Sequence, residues 1–383
     1  MKRLDYIDLA KGIGILLVVL GHSSLTKEYI TAYIYSFHMP LFFVIAGMLI
    51  YVTKTYTRSL KTIILGRLRT LMVPYVIFSI IYTLIDLIKH DTYTKTNAIY
   101  SLCLQGSGPL WFLPTLFISE IIFIILLKYC RKIGGSIVAL LLGFAALFIS
   151  GIHLLAEPGQ ILWGLKDNML GIPRNPPGAL VLVNFNLAVG TIILVALRCL
   201  SCLVFLCAGF WLIRILSRIK SNALSNALSF AGGVILLVLT AGPTIVQCLN
   251  GRTPFIANMS YMELYPSLII FIVCSLTGST GLILLCKGLN EFLSRRFLCL
   301  MGKPLRFWGR NSLLIMVTHL NCQVLFLGNL FAVFMNQYIT RARGYIFRFN
   351  IIFICMLTET ILILLVNRFC PWIIGKKKEN RPE

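Results

Sequence analysis

Apolar runs of about 20 residues recur along the whole chain, and that length matches the hydrocarbon thickness of a bilayer. A backbone inside hydrocarbon has no water to bond. Every N–H and C=O must then be satisfied within the fold, which only helices and closed barrels achieve. The runs are continuous and do not alternate apolar with polar residues, which argues against a β-barrel. The chain is 58% hydrophobic and only 13% charged, where a soluble domain would be about a quarter charged. The expectation is an all-α, polytopic membrane helical bundle.

About ten spans are predicted, at roughly 7–25, 32–52, 71–89, 110–130, 133–155, 188–213, 228–247, 267–288, 305–333 and 346–374. The first follows Lys2 and Arg3 like a secretory signal, but no small-residue cleavage site follows "VVLGH", so it reads as a retained helix. The stretch 177–187 is apolar yet contains Asn184 and Asn186, and reads as a re-entrant or interfacial piece. The net charge of +22 sits in short loops between spans, which points to membrane orientation and not to nucleic acid. With the N-terminus inside, the inner loops carry nearly twice as many basic residues as the outer ones. "KKKENR" is also inside, so both termini are expected in the cytoplasm. Residues 1–375 read as one transmembrane domain and 376–383 as a basic cytoplasmic tail. Multiple passes through the membrane are expected.

Ionisable groups inside spans are costly and normally face a cavity or a partner helix. In "KGIGILLVVLGH", His22 follows Lys11 by eleven residues, which is about 20° past three full turns. Lys11 and His22 therefore share a helix face, about 16 Å apart along the axis, with Asp8 close to the same line. One reading of His22 is an interhelical hydrogen bond; the other is chemistry. His38 sits in "FHMPLFF", where Pro40 removes a backbone donor and frees the carbonyl of Ser36. It is either an incidental histidine at a packing kink or part of a polar spot beside His22.

Trp111, in "GPLWFLPTLF", is either an aromatic-belt residue or part of the same polar region. His319, in "GRNSLLIMVTHL", lies about 14 residues into its span, with Asn311 and Ser312 near the inner surface. Glu120 and Glu359 lie nearer mid-membrane, and each needs a partner, expected to be a cationic or amide side chain. Four polar features from four helices come to similar depth, which favours a cavity opening outward. Lys11, Arg67 and Arg69 lie at the inner ends of their helices, where arginines suit phosphate groups or simply anchor the protein. Cys199 and Cys202 form a C-x-x-C on an apolar helix and read as small buried hydrophobes. No P-loop, nucleophile elbow or HExxH is present, and no metal is expected.

"DYIDLAKGIGILLVVLGHSS", "FHMPLFFVIAGML", "GPLWFLPTLF", "GRNSLLIMVTHL" and "NRFCPWIIGK", in that order, resemble the integral-membrane acyltransferase 3 family. The wording of the second and third is most similar to its fucose-4-O-acetylase-like branch. The resemblance runs from residue 5 to about 375. It implies transfer of an acyl group, usually acetyl, from cytoplasmic acetyl-CoA or another acyl-CoA to a hydroxyl. The acceptor would be a surface glycan or lipid-linked saccharide presented across the bilayer.

The family's basic residue and histidine at this spacing fall on Lys11 and His22. Its basic pair falls near Arg67 and Arg69, here spaced R-x-R where R-x-x-R is also associated with the family. On this reading His22 is the general base, with His38 a second catalytic candidate. Lys11, Arg67 and Arg69 would hold the CoA phosphates. Trp111, His319 and Asn311 are candidates for holding substrate or the oxyanion. Direct transfer and an acyl-histidine intermediate both remain open. The alternative is a transporter or flippase for a glycan or lipid-linked precursor, which also needs mid-membrane polar groups but would be expected to show internal repeats that this sequence lacks.

Overall fold

The computed structural model describes residues 4–23, 27–89, 94–130, 132–154, 179–220, 222–264, 268–294, 299–320, 330, 334 and 345–376. Among them the structure is helical, and the only strand-like pairing is an isolated bridge between Asn258 and Glu263. Eight helical stretches are long and apolar enough to cross a membrane: Glu28–Val52, Leu60–Ile88, Gly108–Tyr129, Lys132–Ser150, Ala188–Leu216, Ala223–Leu249, Leu268–Asn290 and Ile352–Phe369. The protein is an all-α polytopic membrane protein. The other two predicted spans are 7–25 and 305–333. The first is helix α1 (Asp5–His22), which carries Asp5, Asp8 and Lys11. The second falls partly on 321–329, outside the described residues, as does the tail from 377 onward.

Two compact units divide the chain: Met1–Ile45 with Trp211–Ile256 and Ile272–Glu383, and Ala46–Phe210 with Ala257–Phe271. The first unit contains α1, α2 (Glu28–Tyr35) and the start of α3 (His38–Val52). It also holds α10 (Ala223–Leu249), most of α11 (Leu268–Asn290), α12 (Cys299–Arg310), α13 (Ser312–Thr318) and α14 (Tyr345–Phe369). An Asn222–Ser225 capping box starts α10, satisfying two N–H groups that a helix end leaves orphaned.

Helices α1 and α12 meet backbone to backbone. A Cβ added at Gly12 would overlap the Leu305 carbonyl, and one at Gly309 would overlap the Asp8 carbonyl. Small residues permit this approach where lipid offers no hydrophobic drive for helix pairing. Arg310 Nε then reaches Asp8 Oδ2 at 3.3 Å.

The ninth predicted span differs from expectation. It does not run unbroken from 305, because α12 ends at Arg310 and a new helix starts at Ser312. Asn311 leaves helical geometry (φ −113°, ψ 17°), and its Nδ2 donates to the carbonyl of Phe307 at 2.9 Å. Asparagine competes with the backbone ladder in this way, which breaks the helix.

The second unit contains the rest of α3, α4 (Leu60–Arg67), α5 (Val73–Ile88), α6 (Thr94–Leu102), α7 (Phe112–Tyr129), α8 (Lys132–Leu154) and α9 (Ala179–Leu216) up to Phe210. The helix of the third span starts at Leu60 and not near 71, with α4 and α5 joined by one π turn over Leu68–Met72. Pro74 has no N–H, and its ring would strike the carbonyl of Thr70; the wider π turn just before it relieves that clash. On α5, Val73, Val76, Ile80, Leu84 and Leu87 are exposed while Tyr75, Phe78, Ser79 and Tyr82 are buried. That 3.6-residue stripe is a lipid-facing surface with the more polar residues turned inward.

The stretch 179–187 is not a separate re-entrant piece but the first turns of α9, which runs 38 residues without a break. Such a helix is about 57 Å long, well beyond the hydrocarbon core.

Candidate functional site

Three histidines that lie far apart in sequence meet in the first unit. His22 is the last residue of α1, His38 opens α3, and His319 follows α13. The His22 and His319 rings are 5.3 Å apart between centroids. Between His22 and His38 sits Tyr35, at the end of α2, with centroids 5.6 Å from His22 and 4.8 Å from His38. Its hydroxyl lies 3.0 Å from His22 Nδ1. His38 and His319 are buried and His22 is half-buried.

Local chemistry explains why the chain arrives here. Tyr35 approaches α1 because position 21 is glycine: a Cβ there would lie 2.9 Å from Tyr35 Cε2 and 3.3 Å from Ile34 Cγ2. The carbonyl of Ser36, freed by Pro40, takes a hydrogen bond from Ser275 Oγ of α11 at 2.7 Å. The proline therefore does what the sequence implied, and α11 supplies the missing donor.

Hydrogen bonds set the histidine tautomers. His38 Nδ1 lies 2.9 Å from the carbonyl of Ile34, and His319 Nδ1 lies 2.9 Å from that of Ile315. A carbonyl oxygen only accepts, so in both rings Nδ1 carries the proton and, in the neutral ring, Nε2 is left as an acceptor. His319 Nε2 is fully buried and has no partner among the described residues. Such a nitrogen accepts a proton or a hydrogen bond from a hydroxyl. It does not stabilise an oxyanion unless the ring is first protonated. His22 is different, because a tyrosine hydroxyl both donates and accepts. When Nδ1–H donates to Tyr35, His22 Nε2 is bare and basic.

The remaining candidates lie elsewhere. Asn311 is buried at the α12–α13 corner, where its Oδ1 accepts from Asn367 Nδ2 at 3.2 Å and Lys376 Nζ at 3.1 Å. With Nδ2 committed to Phe307, it holds the scaffold together at the opposite end of α13 from His319. Burial from water pushes the Lys376 amine below its usual range. Lys11 is half-buried on α1, one turn from Asp8. Among these side chains, then, the structure gathers only His22, His38 and His319 into one cluster.

In the second unit, Arg67 Nε meets Glu120 Oε2 at 2.7 Å, so Glu120 has the cationic partner expected of it. Arg69 sits in the π turn, half-exposed. Glu359 has a hydroxyl partner and not the cation or amide expected. Thr318 Oγ1 lies 2.8 and 2.9 Å from its two carboxyl oxygens. Trp111 is buried, not set at the lipid interface, and the guanidinium of Arg198 lies 5.0 Å from its ring centroid.

Two residues escaped the sequence reading. Tyr35 had a usable signal, an aromatic hydroxyl three residues before His38 in "YIYSFHMP". Arg198 had a stronger one: a lone arginine in the apolar run "LVALRCLSCLVF", which membrane energetics marks as functional. Among the described residues no group of three or more His, Cys, Asp and Glu is placed to hold a metal ion.

The acyltransferase domain of the acyltransferase 3 family matches residues 4–365, nearly the whole chain. The chain is 30% identical over 138 residues to the nodulation protein NolL of Mesorhizobium japonicum, a match covering 32% of this chain and 36% of that protein. The chain thus spans about a third of the length of that curated relative. No solved structure matches. A family match from the first turn of α1 into α14 takes in all three histidines, and on that ground the chain belongs to the acyltransferase 3 family.

Proposed function

We propose that the protein moves an acyl group, acetyl in the first instance, from cytoplasmic acyl-CoA to a hydroxyl of a surface glycan or lipid-linked saccharide. The membrane would be the bacterial cytoplasmic membrane, with both termini inside. The observation that carries this reading is the convergence of His22, Tyr35, His38 and His319.

His22 Nε2 takes the acceptor's hydroxyl proton as its oxygen attacks the thioester carbonyl. Tyr35 holds His22 Nδ1–H, fixing tautomer and ring orientation as an orienting group does in a triad. The tetrahedral intermediate collapses by breaking the C–S bond, and the proton returns to the departing thiolate, giving an ester and free CoA. The bare Nε2 atoms of His38 and His319 accept from hydroxyls and so orient the acceptor. Lys11 binds the CoA phosphates at the inner surface; in the second unit Arg67 is tied by its Nε to Glu120. The pantetheine arm runs outward along α1, whose Lys11-to-His22 rise of about 16 Å suits its length.

The test is free CoA release from acyl-CoA in proteoliposomes, with and without glycan acceptor, for wild type and His22→Ala. Wild type releases CoA on acceptor addition, and His22→Ala inserts normally but does not. Substantial turnover in a well-expressed His22→Ala protein removes His22 from the base role. CoA release that never depends on acceptor removes the transfer reading.

A further inference from the structure

We propose that Arg198 forms a second, buried binding site, in the second unit, for an oxyanion (a carboxylate or phosphate) carried by the acceptor. The guanidinium is fully buried on α9. Its Nε donates to Thr115 Oγ1 at 2.9 Å, and its Nη1 donates to Gln105 Oε1 at 2.5 Å and to the Ser260 carbonyl at 2.6 Å. Gln105 Nε2 also donates to the Ser260 carbonyl at 3.2 Å and to its hydroxyl at 3.4 Å. One face of the guanidinium covers Trp111.

Every one of these partners is neutral, and among the described residues no carboxylate pairs with Arg198. Its Nη2 is buried with no hydrogen-bond partner among the described residues. An unmatched charge inside hydrocarbon is among the most expensive arrangements a membrane protein can keep. Elsewhere two buried carboxylates do have a cation against them, Glu120 with Arg67 and Asp8 with Arg310. The N–H groups of Nη2 are left to donate, and a charged guanidinium N–H suits an oxygen of a carboxylate or a phosphate. The residues around it, a tryptophan, a glutamine, a threonine and a loop serine, are those that also hold sugars by stacking and hydrogen bonding. The charge bias of the chain assigns the flanking loops to the outer side, where an acceptor would arrive. That the acceptor carries the anion rests on the proposed reaction; the anion site does not.

Gln105→Glu is the informative variant. It keeps shape and places a carboxylate against Nη1, filling the charge deficit from within. The measurement is thermal unfolding of the full-length protein in phosphatidylcholine nanodiscs. The titrants are sodium glucuronate, inorganic phosphate and neutral glucose, with sodium chloride matching ionic strength. We expect wild type to be stabilised by glucuronate or phosphate and not by glucose or chloride. Gln105→Glu should melt higher without ligand and weaken anion binding at least about tenfold, the scale of one lost charge-assisted bond. Arg198→Gln should lose the response, and if it fails to fold, Gln105→Glu decides alone.

Should phosphatidylglycerol discs stabilise wild type in place of the soluble anions, the site stands but its ligand is a lipid headgroup and the acceptor is overturned as carrier. No anion response in wild type, or one unchanged in Gln105→Glu, overturns the site, leaving Arg198 as a latch between α9 and the Ser260 loop. Anion binding in a protein that never transfers acyl groups would sink the proposed reaction and spare the site.

Discussion

Tyr35→Phe removes one oxygen and keeps the ring, so it isolates the contact between Tyr35 and His22. The lost interaction is a neutral hydrogen bond at 3.0 Å, worth about 1 kcal/mol net. If Tyr35 fixes the tautomer with Nε2 bare, that energy is lost specifically from the reactive form of the base. A loss of about 1–1.5 kcal/mol from the barrier side corresponds to about a five- to thirteenfold fall in kcat. The KM for acyl-CoA should stay unchanged, because on the proposed reading the CoA phosphates fall to Lys11 and not to Tyr35. Gly21→Ala attacks the same contact by another route, since its Cβ would press on the Tyr35 ring at 2.9 Å. Overpacking of this kind costs about 1–3 kcal/mol. The double variant should lose less than the product of the two single losses, because both break one contact. The assay is CoA release followed by chromatography; the 12 cysteines of the chain make thiol-reactive dyes unsuitable. Wild-type kcat in Tyr35→Phe would refute the orienting role, as would a loss confined to KM.

Gly12→Ala places a methyl on the Leu305 carbonyl, and both atoms belong to rigid helices, so thermal stability should fall by about 1–3 kcal/mol; an unchanged melting temperature would contradict the close α1–α12 contact. Thr318→Val keeps side-chain shape and strips fully buried Glu359 of its hydroxyl partner, with an expected loss of about 1–3 kcal/mol, read by thermal unfolding in nanodiscs. In a cysteine-free background, single cysteines at Thr57 and Ser217 should resist an impermeant reagent on intact cells while those at Thr94 and Asn258 react; the opposite pattern inverts the protein and breaks the trans-membrane route for CoA.

What the sequence determined by itself is what periodicity and solvent dictate. Apolar runs of bilayer length leave helices as the available answer, so class and approximate spans follow from local chemistry. The shared face of Lys11 and His22 follows from helix geometry alone. The consequence of Pro40 was likewise legible, because a missing N–H always strands the same carbonyl.

Tertiary structure decided which polar groups meet. Nothing in the spacing of 22, 35, 38 and 319 puts those rings together. That takes the packing of α2 and α13 against α1, the first allowed by the absence of a Cβ at Gly21. Asn311 looked like site chemistry because amides serve both oxyanions and helix corners. Only its partners, Phe307, Asn367 and Lys376, assign it to the corner. Partners of buried charge were equally hidden: any hydroxyl, amide or cation satisfies a carboxylate, so sequence names the need while packing names Thr318 for Glu359 and Arg67 for Glu120. Arg198 is the converse case, a need that the described fold leaves unmet by any carboxylate.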